Sequence, residues 1–512
     1  MQTIAAVDVG SNAIRMVVGE VDADWKVRAV ENIRLPVRLG QDVFTVGFIQ
    51  EETIQAAIDA FLRFRRVADD FDVTRMRAIA TSAMREASNG DFLVDRIANS
   101  SGIHVEIING DEEARLVALA IADVIDLRKK RAVLVDIGGG SVEVTVTDGP
   151  NIVSTESFNM GTVRLLNKLK TNGSFHVPSG ASNPDFSLLV QEYAEAPRRR
   201  IEREIGDEPV DLCIGTGGNV EEMGKLRQKL FKASSDKFIT VDELEKLIER
   251  LEGMSYKERI NKLKLRPDRA DVILPATIVM HVIARETGAK EVTIPDVGLK
   301  DGVLLDLAEE LSQRPHPPRR EQVWESAVRL GAKYQLDAEH AGLVSRLAAS
   351  LFHQTEELHN LDDEALLLLE VGALLHDVGH FINTVDHDKH GYYVLKANRL
   401  IGLNEKQQEL VANLVRYHRK AFPSADDENF KALSQKDRLL VSKLSALMRL
   451  ADGMDVSHTG RVSGATLEPD KKVWKLGLHG AGSLMLEKWA LLKRRSLFQE
   501  LFGVSLEIQD NQ

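Results

Sequence analysis

Two stretches of the chain share one pattern of apolar and polar positions. Ala6-Val7-Asp8-Val9 is an apolar run carrying an aspartate near its end, followed by Gly10-Ser11-Asn12 and a second apolar run through Met16-Val17-Val18. Val135-Asp136-Ile137 has the same form, followed by Gly138-Gly139-Gly140 and the alternating segment Val142-Glu143-Val144-Thr145-Val146. Each reads as strand, glycine turn, strand, and the repetition predicts two related α/β lobes facing each other. Between them, helical spacing covers Glu52–Phe71, Arg77–Thr81 reads as a strand and Asp91–Ser100 as a helix. Gly110-Asp111-Glu112-Glu113-Ala114-Arg115-Leu116 reads as a turn into a helix whose acidic first turn suits the helix dipole. A loop rich in Ser, Gly, Pro and Asn spans Ser174–Pro184, and Asp211–Ile214 forms a strand before Gly215-Thr216-Gly217-Gly218.

The run Arg314-Pro315-His316-Pro317-Pro318-Arg319-Arg320 breaks helices and marks a domain boundary. Beyond it the apolar period becomes helical over Glu321–Tyr334, Glu339–Phe352, Asp363–Asp377, Glu405–Tyr417 and Asp437–Leu450. From about Val462, alternation in Lys472–Leu478 and Leu484–Trp489 predicts a small α+β tail. The expected division is therefore 1–117, 118–305, 316–458 and 459–512.

Composition narrows the class. The 512 residues are 43% hydrophobic and 28% charged, an ordinary globular balance. With 66 basic against 78 acidic residues the net charge is −12, which argues against a nucleic-acid coat protein. An anionic substrate would have to be held by local charge, backbone N–H groups and metal. A single cysteine, Cys213, excludes an internal disulfide and fits a reducing cytoplasm. The N-terminus has no basic lead of a signal peptide, and no stretch approaches the ~18 apolar residues of a membrane span. A cytoplasmic protein is expected.

Glycine turns after strands let backbone N–H groups approach an anion. Gly10, Ser11 and Asn12 offer one such nest, and Gly138, Gly139, Gly140 and Ser141 a second. Gly215, Thr216, Gly217 and Gly218 form a third at the start of the expected helix Val220–Leu226. There is no GxxxxGK[ST] loop and no dinucleotide fingerprint. Three glycine turns after strands, two of them repeated, point to phosphate. Asp8 and Asp136 at strand ends and Glu143 on the following strand are placed either to hold Mg²⁺ or to cap their own turns. Arg85 follows a strand, where it either grips a phosphate bidentately or pairs with Glu86 on the surface.

Taken in order, Ala6–Asn12, Thr81–Glu86, Asn109–Leu116, Asp136–Glu143, Asn159–Arg164 and Gly215–Gly218 resemble the exopolyphosphatase/guanosine pentaphosphate phosphohydrolase (Ppx/GppA) family. The resemblance covers roughly residues 4–305, and the helical remainder resembles longer members. One departure is Gly298-Leu299-Lys300-Asp301-Gly302, where the family tends to have Arg-Glu; the charge signs are kept. The resemblance implies two duplicated actin/sugar-kinase-like (RNase H-like) lobes and a homodimer. It also implies a Mg²⁺-dependent hydrolase removing a terminal phosphate, with Glu113 as catalytic base. The expected substrate is inorganic polyphosphate. Alternatives are the 5′-phosphate of guanosine pentaphosphate (pppGpp), or a catalytically silent phosphate or nucleotide sensor.

In the helical half, His340, His376-Asp377, His390, His418 and Asp452 form an ordered series that resembles the HD-domain phosphohydrolase motif. Imidazole and carboxylate suit Mn²⁺, Fe or Mg²⁺, so the set is either a second metal site or a group of satisfied core and surface side chains kept for structure. A further alternative follows, an HD nucleotidase regulated by the first half. Arg416, Arg419, Lys420, Lys488, Lys493, Arg494 and Arg495 are expected to form a basic track for a long polyanion.

Overall fold

In the computed structural model, which describes residues 2–171, 184–311, 317–419, 422–424, 426–470 and 472–509, strand β1 (Gln2–Val9) is buried over its last six positions. Burial on both faces explains why its apolar run does not alternate: this is the central strand of a covered sheet. It pairs antiparallel with β2 (Ile14–Val21), which pairs antiparallel with β3 (Val27–Leu35). On its other side it runs parallel to β4 (Arg75–Ala80), which runs parallel to β5 (Val105–Ile107). The order is β3-β2-β1-β4-β5.

The second sheet is built from β6 (Arg131–Ile137), β7 (Val142–Asp148), β8 (Asn151–Phe158), β9 (Leu212–Thr216), β10 (Phe238–Thr240) and β11 (Glu291–Thr293). Its order, β8-β7-β6-β9-β11-β10, repeats that of the first with β11 in the place of β5, strand direction included, and adds β10 at the edge. The register repeats as well. Asp8 lies opposite Arg15 in the first hairpin, and Asp136 lies opposite Glu143 in the second.

The chain divides into two compact units, residues 1–316 and 317–512. In the second, helices Ala338–Gln354, Asp363–Leu375, Glu405–Tyr417 and Gln435–Gly453 enclose an aliphatic core that includes Leu347, Leu369, Leu414 and Leu447. A three-stranded sheet of β12 (Val462–Asp470), β13 (Val473–Gly480) and β14 (Ser505–Ile508) follows. Leu484–Trp489 is not a strand: it enters the helix Met485–Arg494. The expected linker is shorter than the sequence implies, because Pro317 and Pro318 open the helix Pro317–Lys333, where a missing N–H costs nothing. Arg314-Pro315-His316, the expected loop Ser174–Pro184 apart from Pro184 itself, and Lys420 lie outside the described residues. Among the described residues no helix is long and apolar enough to cross a membrane.

Candidate active site

The turns of the two hairpins meet. A Cβ added at Gly139 would stand 2.9 Å from the Cβ of Ser11, so only glycine lets the turns touch. Ser11 Oγ lies 3.1 Å from Oγ of Ser82, which opens the short helix Ser82–Glu86 after β4. Gly217 is the second position that demands glycine. Its φ is +90°, and a Cβ there would lie 2.9 Å from Asp136 Oδ1. That turn starts the helix Gly218–Phe231 and sets the Thr216 hydroxyl to donate to Asp136 Oδ1 at 2.9 Å.

Between the turns lies a slot of about 100 Å³. Its walls include Asp8, Gly10, Ser11, Asn12, Ser82, Glu113, Asp136, Gly138, Gly139, Ser141, Gly217 and Gly218. One end opens into a wider basin of about 520 Å³ bounded by Arg15, Arg34, Lys225, Lys264, Arg266, Arg269 and Lys300, against three acids, Glu221, Glu222 and Asp296. Arg15, Arg34, Arg269 and Lys300 border both spaces. Burial and the neighbouring Arg15, Arg266 and Arg34 pull Arg269 down to about 10, while Arg34 and Arg266 pair with Asp268 and Lys300 with Asp301 at 2.7 Å.

Glu112 and Glu113 are adjacent in the first turn of the helix Gly110–Val124, yet their environments are opposite. Glu112 accepts from Arg115 at 2.7 and 2.9 Å and from Arg77 at 3.3 Å. Although burial opposes it, these arginines hold its carboxyl below the usual value. Glu113 is buried, and its Oε2 has no hydrogen-bond partner among the described residues. Oxygens of Glu113, Asp136 and Glu143 all lie within 4.8 Å of one another. Burial raises all three, Asp136 to about 6, Glu143 to about 7 and Glu113 well above the ordinary carboxylate value; the charge of Asp136 adds to the shift of Glu143, those of Glu143 and Asp136 to that of Glu113, and that of Asp8 to that of Asp136. Ser157 Oγ donates to Glu143 Oε1 at 2.7 Å, while Oε2 of Glu143 is unpartnered among the described residues. Asp8 is also raised by burial, against the pull of Arg15 at 3.9 Å. Buried carboxylates with unsatisfied oxygens fit a hard divalent cation such as Mg²⁺.

Several expected site residues stand elsewhere. Gly215 is inside β9, where a Cβ would meet Met280, Val220 and Val292, so it serves packing. Thr216 acts through Asp136 and does not line the slot. Gly140 abuts Ser82 and Phe44, and its carbonyl accepts from Arg164 Nε at 2.6 Å. Glu86 is taken by Arg164, at 2.8 Å for one contact, not by Arg85. Arg85 is not on the slot wall. It donates to the Ile108 carbonyl, beside the Asn109 cap that launches the Glu113 helix, and its charge opposes the upward shifts of Glu113 and Glu143. Arg15, Arg34, Arg269 and Asn219 were not singled out from the sequence. Only the register of Arg15 opposite Asp8 could have flagged one of them.

In the second unit His340, His376, Asp377, His418 and Asp452 converge as expected, but His390 does not join them. His387, nearly one turn earlier on the helix His387–Ala397, takes its place, while His390 is half-buried outside the cluster. His458 joins from the loop before β12. The expected basic track does not form a free surface. Arg416 pairs with Asp388, Arg494 with Asp452, and Arg495 bonds the Leu506 carbonyl at 2.6 Å. Lys493 sits over Trp489 at 3.7 Å. The main basic basin bordering the slot lies in the first unit.

Residues 17–311 match the model of the Ppx/GppA phosphatase family, and residues 324–495 match that of Ppx/GppA phosphatase, domain III. The chain is 27% identical over 456 residues to a guanosine-5′-triphosphate,3′-diphosphate pyrophosphatase of Photobacterium profundum, covering 87% of this chain and 85% of the relative. It is 24% identical over 484 residues to the protein of that name from Aliivibrio fischeri, covering 93% and 92%. Among solved structures it resembles an exopolyphosphatase from Cytophaga hutchinsonii (TM-score 0.56, 25% identity, 60% of this chain and 98% of that one). It also resembles the Aquifex aeolicus Ppx/GppA family member (TM-score 0.52, 24% identity, 61% and 99%).

Proposed function

Because the chain belongs to the Ppx/GppA phosphatase family, we propose that it is a phosphoanhydride hydrolase that removes the terminal phosphate of inorganic polyphosphate. The observation that carries this reading is the junction of a narrow slot, with unpartnered Glu113 on its wall, and a wide basic basin. A slot of about 100 Å³ has room for a phosphoryl group and little more, whereas the basin suits the charged remainder of a chain. Such a geometry admits an end and refuses a middle.

Backbone N–H groups of the Gly10 and Gly138 turns, with Ser11 and Ser82, face the terminal phosphoryl oxygens. Glu113 orients a water molecule and takes its proton as the water oxygen bonds to phosphorus. The bridging P–O bond breaks, the shortened chain leaves with the bonding pair, and orthophosphate is released. Asp136 and Glu143, with Asp8 beside them, would hold Mg²⁺, which when bound offsets charge on the phosphoryl oxygens. Arg15, Arg269 and Lys300 hold the remaining phosphates.

The second reading is 5′-phosphate removal from pppGpp, favoured by the names of the relatives that cover most of the chain. Both substrates end in the same anhydride. Family resemblance adds two actin-like duplicated lobes, an HD-like helical unit, a cytoplasmic location and a homodimer to this reading. The test is phosphate release from polyphosphate and from pppGpp by the purified protein with Mg²⁺, polyphosphate products being resolved by length. Loss of single phosphates from the chain end supports the leading reading. Faster turnover of pppGpp favours the second, and no release from either overturns both.

A further inference from the structure

A closed ring of charge holds Glu112, the neighbour of Glu113. Glu112 and Arg115, nearly one turn apart on the helix Gly110–Val124, share two hydrogen bonds at 2.7 and 2.9 Å. Arg115 Nη2 donates again, to Asp306 Oδ1 at 2.7 Å. Asp306 stands on the helix Leu299–Leu311, and its Oδ2 accepts from Arg77 Nη1 at 2.5 Å. Arg77, on β4, returns to Glu112 Oε1 at 3.3 Å and also donates to Glu106 of β5 at 3.1 and 3.2 Å. Two arginines and two carboxylates thus close on one another, and none of the four is exposed.

This ring fixes the start of the Glu113 helix. The Asn109 side chain accepts from the Glu112 N–H at 2.8 Å, while the arginines hold the Glu112 carboxylate. Successive residues of a helix point about 100° apart. Holding Glu112 on the arginines therefore turns Glu113 to the slot wall, where its Oε2 has no partner among the described residues. The helix Leu299–Leu311 is tied in by the same ring. Gly302 lets it meet the Glu113 helix backbone to backbone, since a Cβ there would stand 1.9 Å from the Leu116 carbonyl oxygen. Asp306, about one turn further on, adds a charged link at that crossing. The first turn of the same helix puts Leu299, Lys300 and Asp301 on the slot wall. One acid joins the helix that carries Glu113 to the helix that carries Lys300.

We propose that Asp306 is a positioning residue for phosphate release: through Arg115 and Glu112 it sets the rotation of the Glu113 helix and so aims Glu113 at the attacking water. This rests on the reading of Glu113 as the base of the slot. Asp306 itself borders neither the slot nor the basin, so it acts only through other residues. Desolvation of buried charges offsets most of their attraction, so the ring returns geometry more than stability. Without the Asp306 charge, Arg115 keeps Glu112 but loses the tie to the second helix, and the first turn is free to rotate. A misplacement on the order of 1 Å at a reacting group costs about 10²-fold in rate.

The test compares the wild type, D306N, E113Q, the D306N/E113Q double variant and D306E in the full chain, with Mg²⁺, on polyphosphate and on pppGpp. Asparagine keeps the shape of the side chain and removes its charge. On the substrate that the wild type hydrolyses, kcat of D306N should fall roughly 10- to 100-fold with KM within about twofold, and D306E should recover most of the loss. In the E113Q background D306N should change the residual rate less than about twofold, because the group it aims is already gone. A merely structural defect would lower both rates by the same factor. A crystal structure of D306N should show the Glu113 oxygens outside the 4.8 Å reach of Asp136 and Glu143. If D306N does not fold, Arg77→Gln opens the same ring from β4 and gives the same readouts. Wild-type kcat in D306N, equal losses in the two backgrounds, or an unmoved Glu113 overturns the positioning role and leaves Glu113 as the base. A wild type inert on both substrates overturns the reading of the slot instead, and the role of Asp306 in catalysis with it.

Discussion

Asp136 stands opposite Glu143 across the second hairpin, in the register where Asp8 stands opposite Arg15 in the first. One cross-strand position therefore carries an acid in one lobe and a base in the other. Facing each other across the slot, the two hairpins supply both halves of what a phosphate needs: carboxylates for a cation, and a guanidinium at the mouth of the basin.

Burial of Glu113, Asp136 and Glu143, with like charge beside them, fixes a pH dependence. Folding raises Glu143 to about 7 and Asp136 to about 6, so the folded state favours their protonated forms. The contribution of these two groups to the stability of the metal-free protein is then fully present below the ordinary carboxylate range and is lost as pH rises through about 6 and about 7. Mg²⁺ should raise the Tm more at pH 8 than at pH 5.5, and binding should release protons near pH 6.5. Thermal scans with EDTA or Mg²⁺ at the two pH values check this.

Thr216→Val removes the donor to Asp136 Oδ1 while keeping the shape of the side chain. Asp136 should then ionise at still higher pH. Mg²⁺ affinity, measured by calorimetry at pH 7, should fall roughly tenfold, the loss of one charge-assisted hydrogen bond. The deficit should shrink at pH 8.5.

Gly217→Ala places a Cβ at φ +90° and 2.9 Å from Asp136 Oδ1. That backbone, with ψ 150°, is open essentially to glycine alone and costs another residue about 1–3 kcal/mol. The variant should lose that much stability in denaturant titration and should also bind Mg²⁺ more weakly, which separates it from a glycine that only shapes a turn.

Lys225, Lys264 and Arg266 line the basin away from the slot and are exposed. Replacing all three with Ala should raise KM for long polyphosphate roughly tenfold at low salt, with kcat little changed. The difference should fade as ionic strength screens the basin. Tripolyphosphate, which ends near the slot, should respond far less.

Much of this arrangement is legible in the chain because it rests on local rules. The strand–glycine–strand pattern places Asp8 and Asp136, and the acidic helix start places Glu113, since neither depends on distant partners. Which of two adjacent glutamates is the unpaired one is not local. Glu112 is neutralised by Arg115, itself anchored on Asp306, and by Arg77, and only the packed structure brings these together. The basin escaped notice for the same reason, because Arg15, Arg34, Arg269 and Lys300 come from four separate segments. His390 and His387 differ by three positions on one helix, where spacing alone puts both on the same face. The difference is made by neighbours, with His387 facing His418 at 3.1 Å.

The most direct measurement is phosphate release by Glu113→Gln under saturating polyphosphate and Mg²⁺. Removing one of three crowded carboxylates should leave the fold intact and raise the Tm of the metal-free protein at pH 8. Substrate should still bind, while the rate should fall about 10²–10⁴-fold, the range for loss of a general base. A variant that turns over at the wild-type rate would contradict the account.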